Sequence, residues 1–310
     1  MVSSNVSFTG QTNGAGDLSA LHLKLFGGEI ITSFNTTTVF QDKQMIREIA
    51  NGKSAQFPAT GKITAGYHTP GVEITGTAIN HNERVITIDD LLLSSVFISN
   101  IDEAKNHYDV RSPYTEQLGE ALGQAFDTNS AQVGVLAARA AATITGQSGG
   151  GEVTSANVRT VGADLSSAIF DAAQALDEKD VPDKERYCFV LPAQYYLGAQ
   201  TTSLLNKDWG GAGDISMGTF NSLAGITIVK TNNLPATSVT TGPTAYQGVF
   251  TNVAALVMQK GAIGTVRLLS LALESEYQIA KQGTLMVAKY AVGHGILRPH
   301  CSVEINVTAN

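Results

Sequence analysis

Residues 111–144 read RSPYTEQLGEALGQAFDTNSAQVGVLAARAAATI, and the fold turns on this stretch. Arg111-Ser112-Pro113 is a helix start: the Ser112 hydroxyl can accept from the first free backbone amides, and Pro113 has its φ pre-set for the first turn. Tyr114, Leu118, Leu122, Phe126, Asn129, Val133, Leu136, Ala140 and Ile144 then follow steps of three and four, with one polar exception. The spacing predicts a helix over 113–144, roughly 30 residues and on the order of 45 Å long. That length suits a spine along which other elements pack. Gly119, Gly123 and Gly134 each cost the helix about 1 kcal/mol against alanine, and are expected to mark close approach by another backbone.

On the C-terminal side, Gly146–Gly151 is a glycine-rich break and the candidate domain boundary. Leu165, Ile169, Ala172 and Leu176 predict a second amphipathic helix that stops near Val181-Pro182, and Tyr187–Leu191 reads as a buried strand. A short helix from Pro192 to about Thr202, the loop Asp208–Gly218, a strand at Ile226–Lys230 and a polar loop over 231–244 complete a half that alternates helix and strand. Strand-like runs return at Thr284–Lys289 and Ser302–Val307. On the N-terminal side, Gly52–Asp89 alternates apolar and polar residues: Ile63, Ala65 and Tyr67, then Val72, Ile74 and Ala78, then Ile86 and Ile88. Thr69-Pro70-Gly71 between the first two runs is a turn signal, so the passage predicts a long hairpin with a return strand. A lone hairpin buries too little to be stable in water and must lie on a sheet or a neighbouring subunit. Residues 1–17 lack periodicity and read as an arm that orders against something else. The apolar stretch LSALHLKLFGGEI from Leu18 is expected to be a helix turn broken at Gly27 and Gly28.

The chain of 310 residues can bury a core without staples. Charged residues make up 15% of it, against roughly 25% in ordinary soluble domains. A surface so poor in charge is expected to be covered by other protein chains. The net charge of −7, with 27 acidic and 20 basic residues and no Lys/Arg block, argues against sequence-specific nucleic-acid binding, although a mildly acidic wall suits a container for DNA. Cys188 and Cys301 have no partner motif, so a reducing compartment is expected. Met1–Gly16 has no basic region followed by an apolar core, and no run of about 18 apolar residues occurs; neither export by the usual route nor a membrane span is expected. The sequons at Asn5, Asn35 and Asn306 then carry no glycosylation message.

No motif reads as an active site. Gly146-Gln147-Ser148-Gly149-Gly150 fits G-x-S-x-G, but a nucleophile elbow needs a strand before it and a helix after it. Here an Ala-rich helix precedes and a polar loop follows, so the loop reading is preferred. His22, His68, His81, His107, His294 and His300 are scattered without metal-ligand spacing; His294, flanked by Gly293 and Gly295, reads as a packed or interface histidine. The Gly-rich stretches at 149–151 and 210–213 lack the Lys-Ser/Thr of a phosphate cradle. Asp89-Asp90 and Asp177-Glu178 read as solvated charges. No catalytic residue, cofactor or metal is expected.

Several segments resemble the major capsid proteins of the short-tailed, T7-like bacteriophages. They are Phe26-Gly27-Gly28-Glu29, Gly52-Lys53-Ser54-Ala55-Gln56-Phe57-Pro58, Val85-Ile86-Thr87-Ile88-Asp89, His107-Tyr108-Asp109-Val110-Arg111-Ser112, the passage from Val181-Pro182 to Tyr187-Cys188, and Ala288-Lys289-Tyr290-Ala291 to Gly293-His294-Gly295 with Leu297-Arg298-Pro299. They occur in the family's order from near residue 20 to near residue 300. The resemblance implies an α+β chain with the HK97-type capsid fold. Its N-terminal arm would be 1–40 and its extended hairpin 41–88. The peripheral domain would be 89–150 and 265–290 with the spine helix 113–144, and the α/β axial domain 151–264 and 291–310.

The implied role is a subunit that self-assembles as pentamers and hexamers into the icosahedral head around the double-stranded DNA of a tailed phage. Implied partners are other copies of itself, a scaffolding protein, a portal at one vertex, the packaged DNA and a decoration protein, with no membrane. Implied locations are the virion and, during assembly, the host cytoplasm. Each hairpin would lie across the adjacent subunit, with Lys53, Phe57, Lys62, Tyr67 and Arg84 as intersubunit contacts; packing on their own chain or facing solvent is the alternative for each. The rivals are an encapsulin-like compartment shell of the same fold and a serine hydrolase using Ser148 with His294 as base.

Overall fold

The computed structural model describes residues 30, 32–34, 37–63, 65–76, 78–101, 111–201 and 221–308. The polar N-terminal stretch, the Gly27–Gly28 break, most of the 107–111 motif and the loop 208–218 lie outside them. In chain order the strands are β1 Met45–Glu48, β2 Ser54–Thr60, β3 His81–Thr87, β4 Leu92–Ser99, β5 Gly151–Thr154, β6 Arg186–Val190, β7 Ser222–Leu223, β8 Ile226–Lys230, β9 Val253–Gln259, β10 Ile263–Gln278, β11 Gly283–Ile296 and β12 Ser302–Asn306. The helices are α1 Arg111–Arg139, α2 Gly162–Glu178 and α3 Pro192–Ala199.

The spine helix α1 ends five residues before the predicted Ile144. Its last residue, Arg139, donates to both carboxylate oxygens of Glu304, at 2.6 Å each, and to the Val249 carbonyl. The chain then reverses through Gly146, at φ +88°, and the Gly150 amide returns to the Ala140 carbonyl at 2.9 Å. Gly150 is flush against the Ala138 carbonyl, where a Cβ would have no room. The carbonyls at the helix end are therefore met by returning glycine backbone instead of a further turn. Ile144 is buried all the same. Its place in the periodic pattern reports burial, not helicity.

The described residues fall into two compact units. One comprises residues up to Thr38 with Asp90–Phe126 and Leu268–Val292; the other comprises Val39–Asp89, Asp127–Arg267 and from Gly293 onward. In the first unit, Leu118, Leu122 and Phe126 of α1 share a core with Ile30, Phe34, Ile98, Met286 and Tyr290. Phe34 meets both Phe126 and Tyr290 edge-on, with ring centroids 5.8 and 5.9 Å away. β11 pairs antiparallel with β4, from Gly283–Ser99 to Tyr290–Leu92. A Cβ on Gly119 would stand 2.8 Å from the Ile30 carbonyl oxygen, the close backbone approach that the helix glycines predict.

The second unit is built on a six-stranded sheet in the order β5-β12-β9-β6-β8-β7. β6 pairs parallel with β8 and antiparallel with β9; β12 pairs antiparallel with β9 and parallel with β5. The core joins the β9 run Val253–Met258 to Leu165, Ile169, Ala172 and Leu176 of α2 and to Val133, Val135 and Ala137 of α1. Each of the Val, Leu, Ile and Met side chains among them contributes on the order of 1.5–3 kcal/mol on burial. At Gly134 the close neighbour is the Leu256 side chain, 2.7 Å from a built Cβ, which corrects the expectation of a backbone there. Asp127 of α1 is fully buried and accepts the Val39 and Phe40 amides at 2.7 and 3.1 Å and the Asn233 side-chain amide at 3.2 Å. Burial raises its pKa despite those donors. The ring of Phe40 stacks on that of Phe189 with centroids 3.9 Å apart.

Because the Glu304 side chain is fully buried, removing its partner or the carboxylate itself leaves an uncompensated group. Glu304→Ala is expected to cost about 3–5 kcal/mol in chemical denaturation, and the paired replacement Arg139→Met with Glu304→Leu distinctly less.

Candidate functional site

The hairpin β2–β3 carries some of the most exposed large apolar side chains among the described residues. Its strands pair antiparallel from Ser54–Thr87 to Thr60–His81, and the Gly61 amide closes the ladder on the Asn80 carbonyl at 2.8 Å. Beyond that point the chain turns at Thr69-Pro70-Gly71, where Gly71 has φ +88° and the Val72 amide reaches the Thr69 carbonyl at 3.2 Å. The turn is where the sequence predicts it. The strand runs predicted on either side of it do not pair: Ile63 is 56% exposed, Tyr67 108%, Val72 60% and Ile74 79%. Alternating residues form a ladder when one face can be buried, and among the described residues nothing covers these.

The base of the hairpin is held firmly. Ala55 and Ile86 are buried with Val266 and Leu297, and Phe57 packs at the edge of that cluster. Gly293 lies flush on the Thr87 carbonyl, and a Cβ on Gly295 would stand 2.7 Å from the Ile86 side chain. The Tyr246 hydroxyl donates to Asp89 and accepts the His294 amide at 3.1 Å. Asp89, read from sequence as a solvated charge, is thus a half-buried acceptor at the hairpin root. Asp177 is an exposed charge, as read, and it pairs with the buried Arg186 at 2.7 Å. Neither partner is near enough in sequence to be read.

Of the five hairpin residues singled out, Lys53 is exposed and Tyr67 fully so. Phe57 and Arg84 are brought together as a cross-strand pair and are both half-buried. Lys62 pairs with Asp180 of its own chain at 2.6 Å. A residue that sequence reasoning missed is Arg47: its guanidinium lies 4.6 Å from the centre of the Phe57 ring and donates to the Gln56 carbonyl, tying β1 to the hairpin.

His294 is buried, its Nδ1 within 2.8 Å of the Thr265 hydroxyl and 3.3 Å of Ser130. Burial lowers its pKa to about 3, so the ring stays neutral. Ser148 sits in the turn between α1 and β5, with a helix before it and a strand after it, the reverse of a nucleophile elbow. Cys188 and Cys301 are buried free thiols whose pKa values burial raises to about 12 and about 11.

A spine helix shared by two α+β units, with a rooted hairpin whose tip finds no face to pack on, is the make-up of an HK97-type capsid subunit. Solved structures with this fold include the capsid of cyanophage P-SCSP1u, 41% identical, with a TM-score of 0.79 and alignment over 87% of this chain and 88% of that one. A virus-like particle from Pyrococcus furiosus, 11% identical over 92% of this chain and 99% of that one, shares the fold alone at a TM-score of 0.59. The chain belongs to the Gp10A-like major capsid protein family, whose model matches residues 56–306. It is 35% identical to the major capsid protein of Escherichia phage T7, over 93% of this chain and 92% of that protein.

The histidine gives the subunit a definite response to acid. Unfolded, the ring takes up a proton near pH 6.5; folded, it does so only near 3, so its contribution is whole above pH 6.5 and is lost as pH falls through that window. Between pH 7 and 5 the loss is expected to be about 2 kcal/mol. Urea denaturation at each pH should show a flatter slope for His294→Gln, and equal slopes would contradict this account.

Proposed function

We propose that this capsid protein assembles as pentamers and hexamers into the icosahedral head that encloses the double-stranded DNA of a tailed phage, with each hairpin lying across an adjacent subunit. The observation that carries the reading is the hairpin tip, where Ile63, Tyr67, Val72 and Ile74 stand exposed beyond a rooted base. Four large apolar groups on one projection match a patch awaiting a protein partner. A chain that is 15% charged, with net charge −7, suits a subunit covered by its neighbours whose wall repels phosphate and lets packed DNA slide.

In this reading Lys53, Phe57, Lys62, Tyr67 and Arg84 face the neighbouring subunit. The arm is 1–40, the hairpin 41–88, the peripheral domain 89–150 with 265–290, and the axial domain 151–264 with 291–310. The role is structural, without catalysis, cofactor or metal. Assembly takes place in the host cytoplasm with a scaffolding protein and a portal at one vertex, and a decoration protein is a further partner on the finished head. A compartment shell of the same fold would instead yield particles loaded with protein and free of nucleic acid.

Expression with a scaffolding partner, followed by negative-stain electron microscopy of the sedimentable fraction, is expected to give closed shells. Tyr67→Ala, which removes a side chain bare in the subunit, is expected to leave subunit melting unchanged and to cut shell yield at least about tenfold. Undiminished yield from Tyr67→Ala and Phe57→Ala would remove the hairpin from the interface; a small monodisperse oligomer from the parent chain would overturn the shell itself.

A further inference from the structure

The neck of the hairpin, where the ladder ends, is gripped by a different part of the same chain. The Gln147 side-chain amide donates to the Thr60 carbonyl at 3.1 Å, and the Asn82 side-chain amide donates to the Thr143 carbonyl at 2.7 Å. The Lys62 ammonium meets the Asp180 carboxylate at 2.6 Å, and Gly61 faces the Ile144 side chain, which would be at ordinary contact distance, 3.5 Å, from a Cβ built there. Both strands are held, one at residues 60–62 and the other at Asn82. The gripping turn is joined to the end of α1 by the Ala140 amide on the Ala137 carbonyl at 3.2 Å, and is closed by the Gly150 amide on the Ala140 carbonyl and the Gln147 amide on the Ile144 carbonyl. Asp180 is set in place with φ +54° and its amide on the Asp177 carbonyl at 2.9 Å.

We infer that the turn 140–147, with Asp180, is a clamp that makes the hairpin neck move with the end of the spine helix and leaves residues 63–79 alone free to fit a second copy of this chain. The inference rests on the shell reading and divides the hairpin within it. Lys62 then works inside its own subunit, and the adaptable part of the contact surface begins at Ile63. The grip consists of two neutral hydrogen bonds, one packed isoleucine and one ion pair whose side chains are 59% and 77% exposed. Contacts of this kind are individually weak and the ion pair is screened by salt, so together they can couple the neck to small movements of the spine end, and under larger ones they give way before the buried root at Ala55 and Ile86 does.

Hydrogen exchange of the full chain before assembly tests the clamp. In the triple variant Asn82→Ala, Gln147→Ala, Asp180→Ala, peptides covering 58–64 and 78–83 are expected to exchange at least about tenfold faster, while those covering 54–57 and 84–87 keep their rates. The charge swap Lys62→Asp with Asp180→Lys is expected to keep parental rates throughout. Neck exchange in the triple variant within about twofold of the parent, or loosening that reaches the root equally, overturns the clamp. Shell formation by the parent chain is scored separately by electron microscopy: shells with unchanged neck exchange remove the clamp and spare the shell reading, and faster neck exchange without shells does the opposite.

Discussion

A carboxylate that no solvent reaches meets a guanidinium at the end of the longest helix, and much of the second unit is arranged around that pair. Glu304 lies in β12, every residue of which is buried. An unpaired charge there would cost several kcal/mol, so Arg139 has one place to be. Its neighbours in the strand extend the constraint: Ser302 donates to the Gly134 carbonyl of α1 at 2.9 Å, and Asn306 donates to Glu152 of β5 at 2.7 Å. Three alternate polar residues of one strand thereby fix the register of a helix and an edge strand. With the helix end located, the returning glycines, the turn 140–147 and the hairpin neck follow in order.

The same logic explains why the hairpin is firm at one end and bare at the other. Its root is secured by means that leave no freedom: glycines where a side chain would collide, a buried Ile86, and the Tyr246 hydroxyl shared between Asp89 and the His294 amide. Its tip carries exposed apolar side chains. In the proposed shell, a firm root under an adhesive tip would lower the ordering entropy lost on association relative to a loop free at both ends.

Local patterns made the outline legible. The steps of three and four from Leu118 to Leu136 marked the spine, although Arg111 and Ser112 ahead of Pro113 are already helical; Pro70-Gly71 marked the hairpin turn, the steps of three and four from Leu165 to Leu176 the second helix, and Ile226–Lys230 a strand with the observed bounds. What escaped had physical reasons. Val253–Gln259 is buried nearly throughout, so it shows no alternation and does not announce itself as a central strand. Arg139 and Glu304 are 165 positions apart, and Tyr246 and Asp89 are 157, so no spacing rule reaches them. The bare tip residues could be picked out because alternation marks faces, but a face does not state what lies against it. What the family resemblance adds there is a proposal, a neighbouring subunit, which periodicity could not supply.

Where β12 falls in the chain has a consequence in time. It follows the other eleven strands in sequence yet sits inside the sheet, between β5 and β9. While a ribosome is still adding residues 302–306, β5 has no partner in the sheet, Arg139 has no counter-ion, and the turn that grips the hairpin hangs from an unsecured helix end. The carboxylate that holds the end of the spine is thus among the last parts of the described sheet to be made.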